Sequence, residues 1–207
     1  YKRQTYKVSI FSDYNVLKEY VERFKTYLNG LLHEHPHDLN IVCALATVEQ
    51  VLRHEENSIQ LLEEFLRKYI EELSDTDKAR VYTNLAFYYN DEGNIKEYDY
   101  LSAAIKLKSP YIETYRGLAL YHFSAYRERG SVEELKESLR AFEKGRTVSN
   151  DYEMNFGYAV CLFELKQYEK AKVIFEELLK SYRNRMRLLV CIAYCDVYLA
   201  VSYTHLT

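Results

Sequence analysis

Tryptophan is absent from this chain of 207 residues, proline occurs twice and glycine six times. So few chain breakers cannot supply the turns of an all-β protein, and their scarcity points to helices. There is no basic excess either: 28 Lys and Arg stand against 31 Asp and Glu, a net charge of −3. A general nucleic-acid binder needs a basic stripe to release counterions from phosphates, so no nucleic acid is expected on this segment. No apolar run is long enough to cross a bilayer, and no signal peptide opens the chain, so a cytoplasmic protein without membrane contact is expected. The chain begins at Tyr1 without Met, as an excised piece would. The four cysteines, Cys43, Cys161, Cys191 and Cys195, lie inside apolar helical patterns and form no spaced loop framework. They read as reduced, buried thiols.

Catalytic motifs are missing as well. The sequence has no nucleophile elbow and no phosphate-binding glycine loop; Gly30, Gly93 and Gly145 read as helix stops. Acidic residues such as Glu63, Glu64, Glu71 and Glu72 fall on solvated helix faces. His33, His35 and His37 with Glu34 offer zinc-type ligands, but their alternate spacing does not place two ligands on one helical face. Cys191 and Cys195 lie one turn apart, flanked by Leu188, Ile192 and Leu199, which favours core packing over half a metal site. No metal, no cofactor and no enzyme is expected; a metal-dependent enzyme built on the three histidines is the weakest alternative.

What the chain has is helical patterning. Hydrophobic residues make up 48 % and charged residues 29 %, a balance that supports a folded core. The clearest stretch is Leu165 to Lys180, LKQYEKAKVIFEELLK. Ala171, Phe175 and Leu178 fall at i, i+4 and i+7 and share one face, with Glu and Lys opposite. A small residue followed by a ring lets two helices approach closely and interlock. Such a helix cannot bury its face alone, so copies are expected around it.

Ten helices are expected. The first runs from about Asp13 to Leu28, with Val16, Tyr20, Phe24 and Leu28 at four-residue steps, and stops at Asn29-Gly30. The second spans Leu39 to Arg53 on Ile41, Leu45, Val48 and Leu52. Asn57 with Gln60 reads as a capping box for a helix to Leu73. Thr76 to Asn90 follows; Gly93 closes the turn, and Asn94 caps a helix to Leu107. After Pro110 a long helix reaches Arg129 and ends at Gly130. Ser131 with Glu134 caps its partner, which ends near Gly145. Asn150 with Glu153 opens the next pair, and a last helix runs from about Asn184 to Tyr198.

Tyr82, Leu85, Ala86 and Tyr89 form a large-x-x-Leu-small-x-x-Tyr pattern, echoed by Tyr115, Leu118, Ala119 and His122 and by Tyr158, Ala159 and Leu162. On these residues and the Ala171 helix, the chain resembles the tetratricopeptide (TPR) repeat family from about residue 37 to residue 183. The resemblance implies an all-α fold of antiparallel helix pairs stacked as a right-handed TPR-like α-solenoid. An arm and leading helix would occupy residues 1–36, the repeats 37–183, and a terminal helix 184–207. The pattern departs from the family where Tyr98 stands in place of a small residue and Ala104-Ile105-x-Leu107 falls one residue out of register. A single helical bundle is the other architecture that helix pairing allows. The last seven residues, VSYTHLT, resemble a translated sequencing-adapter tail; the alternative is an ordinary helix end.

In TPR proteins, ligand contacts come from residues just off the packing stripe of each first helix. The resemblance carries that role to Thr83, Asn84, Phe87, Asn90 and Asp91, to Arg116 and Leu120, and to Phe156, Val160 and Phe163. A groove asparagine can satisfy both sides of a peptide amide. The carboxylate clamp of some family members is not expected, because Thr83, Phe87 and Phe156 stand at clamp positions and Arg116 is the one cation there. The implied function is a protein- or peptide-binding module, scaffold or sensor, similar to the repeat domains of peptide receptors in Gram-positive bacteria. The alternative is a self-associating module, a homodimer through Leu188, Ile192 and Leu199 of the last helix.

Overall fold

The computed structural model describes residues 10–90, 94–182 and 185–204, with side chains between 17 and 201. These residues form ten α-helices and no strand: α1 (Ile10–Glu34), α2 (Leu39–Val51), α3 (Glu55–Tyr69), α4 (Asp75–Tyr88), α5 (Ile95–Lys106), α6 (Ile112–Arg129), α7 (Val132–Val148), α8 (Tyr152–Glu164), α9 (Tyr168–Ser181) and α10 (Arg185–Thr204). Packing is serial. Each helix lies on the next along the chain, and beyond that α2 meets α4 and α4 meets α6. The buried side chains form local clusters strung along the chain, where a bundle would have one centre. The protein is an all-α, TPR-like solenoid.

The second helix of each pair buries three residues at i, i+4 and i+7, one face of a 3.6-residue period. They are Ser58, Leu62 and Phe65 in α3; Glu97, Leu101 and Ala104 in α5; Ser138, Phe142 and Gly145 in α7; and Ala171, Phe175 and Leu178 in α9. The first helices bury Ala46, Ala86, Ala119 and Ala159. The leading position of the triplet is small in α3, α7 and α9. In α5 it is Glu97, while Tyr98 is exposed, so the register of α5 begins one residue earlier than alignment on Tyr98 predicts.

Ser58 and Ser138 satisfy their hydroxyls locally. Ser58 donates to the Glu55 carbonyl at 2.6 Å, and Ser138 to the Ala119 carbonyl at 2.8 Å. The other half-buried networks clamp neighbouring helices. Glu49 of α2 takes Lys25 of α1 at 2.9 Å and His54 Nδ1 at 2.9 Å, and Glu63 of α3 accepts from Tyr89 and Tyr100 at 2.7 and 3.0 Å.

Helix ends differ most from the sequence reading. Gly30 and Gly145 stop nothing: α1 continues to Glu34 and α7 to Val148. Gly145 instead permits close approach, since a Cβ there would stand 2.9 Å from Tyr115 Cβ and against Met154 Cε. Gly93 lies outside the described residues. Gly130 does end α6, in the left-handed region at φ 67°.

Three helices stop on a charged residue at positive φ: Arg53 at 61° after α2, Lys108 at 55° after α5 and Lys166 at 61° after α8. The following N–H returns five residues, His54 to Glu49 O, Ser109 to Ala104 O and Gln167 to Leu162 O. This is the Schellman closure, made here without glycine. Asn57 lies inside α3, whose N-cap is His54 with no side-chain cap bond. The caps of α5 and α7 are Asn94 and Ser131 as read, and α8 is capped by Asp151, one residue after Asn150.

The face of α1 is also corrected. Leu28 is buried with Val21, Leu31 and Leu32 beside it, whereas Tyr20 and Phe24 are exposed. Four-residue steps drift by about 40° each on a 3.6-residue helix, so a stripe of three such steps leaves the core. The side chain of Val16 lies outside those described.

Candidate functional site

Two adjoining clefts open along the first helices. One, of about 100 Å³, lies among α4, α5 and α6 and is lined by Phe87, Asn90, Glu97, Gly117, Leu120 and Tyr121, with Ser124, Ala125, Glu128 and Arg129 further along α6. The other, of about 200 Å³, lies between α6 and α8. Its walls are Arg116, Leu120 and Phe123 of α6, Phe142 of α7, Glu153, Phe156, Gly157 and Val160 of α8, and Arg187 of α10. Leu120, 51 % exposed, borders both clefts.

Of the residues expected to line a groove, Phe87, Asn90, Arg116, Leu120, Phe156 and Val160 come together in these two clefts. Thr83 does not. It is 4 % exposed, and its hydroxyl donates to the Ala79 carbonyl and sits 2.7 Å from Thr114 Oγ1, inside the α4–α6 contact. Asn84 is half-buried and donates to Cys43 Sγ at 3.3 Å. Phe163 packs edge-on to the rings of Tyr168 and Tyr198. Asp91 lies outside the described residues.

Sequence reasoning missed several cleft residues. Arg187 comes from α10 and lies over the Phe156 ring at 3.8 Å, a placement that only the fold supplies. It gives this cleft a second cation besides Arg116, which is 3.7 Å from Glu113 of its own helix. Gly117 and Gly157 thin the helices where neighbours press in: a Cβ on Gly117 would stand 3.0 Å from Leu101 Cδ2, and one on Gly157 would meet the Phe142 ring. Glu97 was hidden by the register of α5. The signal for it was the i, i+4, i+7 series Glu97, Leu101 and Ala104.

The electrostatics of the first cleft centre on Glu97. The residue is 8 % exposed; its backbone N–H donates to the Asn94 carbonyl at 3.1 Å, while its carboxyl makes no hydrogen bond or ion pair with any described residue. Burial alone pushes its carboxyl up to about 7. The Tyr121 hydroxyl is also raised, chiefly by burial, with Arg129 opposing and Glu97 adding to the shift.

The remaining candidates pack structurally. The His37 ring lies tilted against the Tyr69 ring at 4.3 Å and meets Glu72 at 3.3 Å. Among the described residues, no three His, Cys, Asp or Glu side chains converge as metal ligands. Burial raises the Cys195 thiol to about 11, and Cys191 rises for the same reason, so both remain protonated thiols in the α8–α9–α10 core.

The face expected to self-associate is turned inward. Leu188 is fully buried, Ile192 packs on the same core and Leu199 is half-buried. The outward face of α10 carries Met186, Leu189, Val190, Tyr194 and Val197 instead. No helix among the described residues is long and apolar enough to cross a membrane.

Comparison with known proteins agrees with this geometry. Residues 154–185 match the family model described as tetratricopeptide repeat. A search of curated protein sequences finds no match. Among solved structures, the chain is similar to MamA protein at 17 % identity and TM-score 0.56, over 81 % of this chain and 86 % of that one. It is similar to TTC0263, a thermophilic TPR protein of Thermus thermophilus, at 15 % identity and TM-score 0.54, over 86 % and 91 % of the two chains. Yeast Tom70 aligns at 14 % identity and TM-score 0.51, over 87 % of this chain and 44 % of Tom70. Residues 154–185 thus match a tetratricopeptide repeat, and the fold of the helix pairs is that of a TPR-like helical-repeat solenoid.

Proposed function

We propose that the protein is a binding module that holds a peptide or protein segment along the two clefts of α4, α6 and α8. Tetratricopeptide repeats typically mediate protein–protein interaction and are generally non-catalytic. The observation that carries the reading is Leu120, an exposed apolar side chain bordering both clefts beside the exposed ring of Phe87. Apolar groups left open between polar rims mark interaction sites. The test is selection from a displayed library of random peptides. Wild-type protein is expected to enrich a consensus, and Leu120→Asp to lose it at unchanged helicity by circular dichroism. Enrichment of the same peptides by the variant sinks the groove reading.

A second reading is self-association, and the apolar outward face of α10 favours it. Val190→Glu is expected to convert a dimer to a monomer in sedimentation, with Leu120→Asp leaving the dimer intact. A monomeric wild type across the accessible concentration range removes this reading.

A further inference from the structure

We propose that the cleft among α4, α5 and α6 is a subsite for a basic side chain, a lysine or arginine of the bound peptide, with Glu97 as its counter-charge. The inference rests on the groove reading and deepens it. At the position where α3, α7 and α9 place Ser58, Ser138 and Ala171, α5 places Glu97, a residue nine-tenths buried that lines the cleft and whose carboxyl has no partner among the described residues. An acid so placed has lost part of its water and gained no hydrogen bond or counter-charge in return. The ligand group that gains most by entering is one that brings a positive charge and N–H donors, which restores both losses together.

The walls suit the rest of such a side chain. Leu120 and the rings of Phe87 and Tyr121 flank an aliphatic stem, and an aromatic face attracts a cation. Arg129 does not already fill the role. Its charge acts on the Tyr121 hydroxyl, whereas the Glu97 carboxyl is moved by burial alone. Glu128 lines the same cleft, so with Glu97 ionised its charges are two negative and one positive.

Other charged and titratable groups surround Glu97. From α6 come Tyr121, Glu128 and Arg129; α7 brings Glu134, which acts on Tyr121 and holds His122; α5 itself adds Tyr98. Phe87 of α4 and Asn90, two residues beyond its end, do not titrate. A bound cation forces Glu97 to ionise, so binding releases a proton when Glu97 begins protonated.

The experiment uses the peptide that wild-type protein enriches from the random library, and the same peptide with its basic residue replaced by methionine. A lysine or arginine at fixed spacing from apolar residues is expected in the consensus. Glu97→Gln is expected to weaken the basic peptide about tenfold or more and the methionine peptide less than about twofold. Wild-type affinity for the basic peptide is expected to fall about tenfold from pH 8 to pH 6, as follows for a carboxyl titrating at about 7. The fall is expected to vanish in Glu97→Gln, which assigns it to that carboxyl.

A consensus without a basic residue, or equal weakening of both peptides, overturns the subsite. In either case the groove reading stands if Leu120→Asp still abolishes enrichment. Competition by free n-butylamine at the peptide's own concentration overturns it in favour of a small-amine site. Failure of wild type to enrich any peptide defeats both readings.

Discussion

The start of α9 and the start of α5 occupy the same place in the repeat and do opposite things. Ala171 is fully buried in one cluster with Ala159 of α8, and two methyl groups let the pair close. Glu97 stands at the corresponding place in α5, and beside it a cleft opens toward α6. Both triplets continue with a large residue, Phe175 or Leu101, so the period holds and only the leading side chain differs. A repeat can therefore exchange a packing contact for a chemical group without losing its register.

The comparison breaks most forcefully if the acid is moved. Ala171→Glu places a carboxyl in a closed contact with no cleft to enter, and stability to urea is expected to fall by roughly 4 kcal/mol. The converse change sharpens it. The Glu97 carboxyl is raised from 4.5 to about 7, so the folded state holds its proton more tightly than the unfolded chain. That contribution is complete below pH 4.5 and is lost as pH rises through 7. Glu97→Gln is therefore expected to stabilise the protein by roughly 2–3 kcal/mol at pH 8 and to change little at pH 4, read as the shift in urea midpoint at each pH.

The third member of the triplet gives a smaller effect. Gly145→Ala is expected to cost about 1–2 kcal/mol, because its Cβ would press on Tyr115 Cβ, which cannot move aside as a flexible side chain can. The smallest change is a gain. Lys166→Gly relieves a left-handed residue at the end of α8 and is expected to raise stability by roughly 0.5 kcal/mol, visible as a higher thermal midpoint.

Helix number and pairing were legible in the sequence because a 3.6-residue apolar period survives substitutions at single positions, as Tyr115, Leu118 and Ala119 show. Helix ends were less so. Gly30 and Gly145 have the composition of stops and lie within helices, whereas Arg53, Lys108 and Lys166 do the stopping with no mark of it. Hydrogen bonds close those ends, and backbone bonds leave no trace in residue type. Orientation of α10 was lost for another reason: Leu188 and Ile192 are apolar on the inner face, but Leu189, Val190 and Val197 are apolar on the outer. A helix apolar all round has no period that tells inside from outside.

Within the clefts, Phe87 and Leu120 could be read because large apolar residues off a packing stripe ask for an explanation. Arg187 and Glu97 could not be placed from local pattern. The first is brought by a helix 67 to 71 positions after the cleft residues Arg116 and Leu120, and the second by a one-residue slip.

Leu120 stands as a partition between two chambers of unequal size and opposite charge balance. A single side chain occupies one staggered rotamer at a time, so leaning toward one chamber enlarges the other. Under the proposed groove function, two anchoring groups of one ligand would therefore be sized against each other: a bulkier anchor on the arginine side would narrow the room on the Glu97 side, and the pair would be read as one measurement of length and breadth.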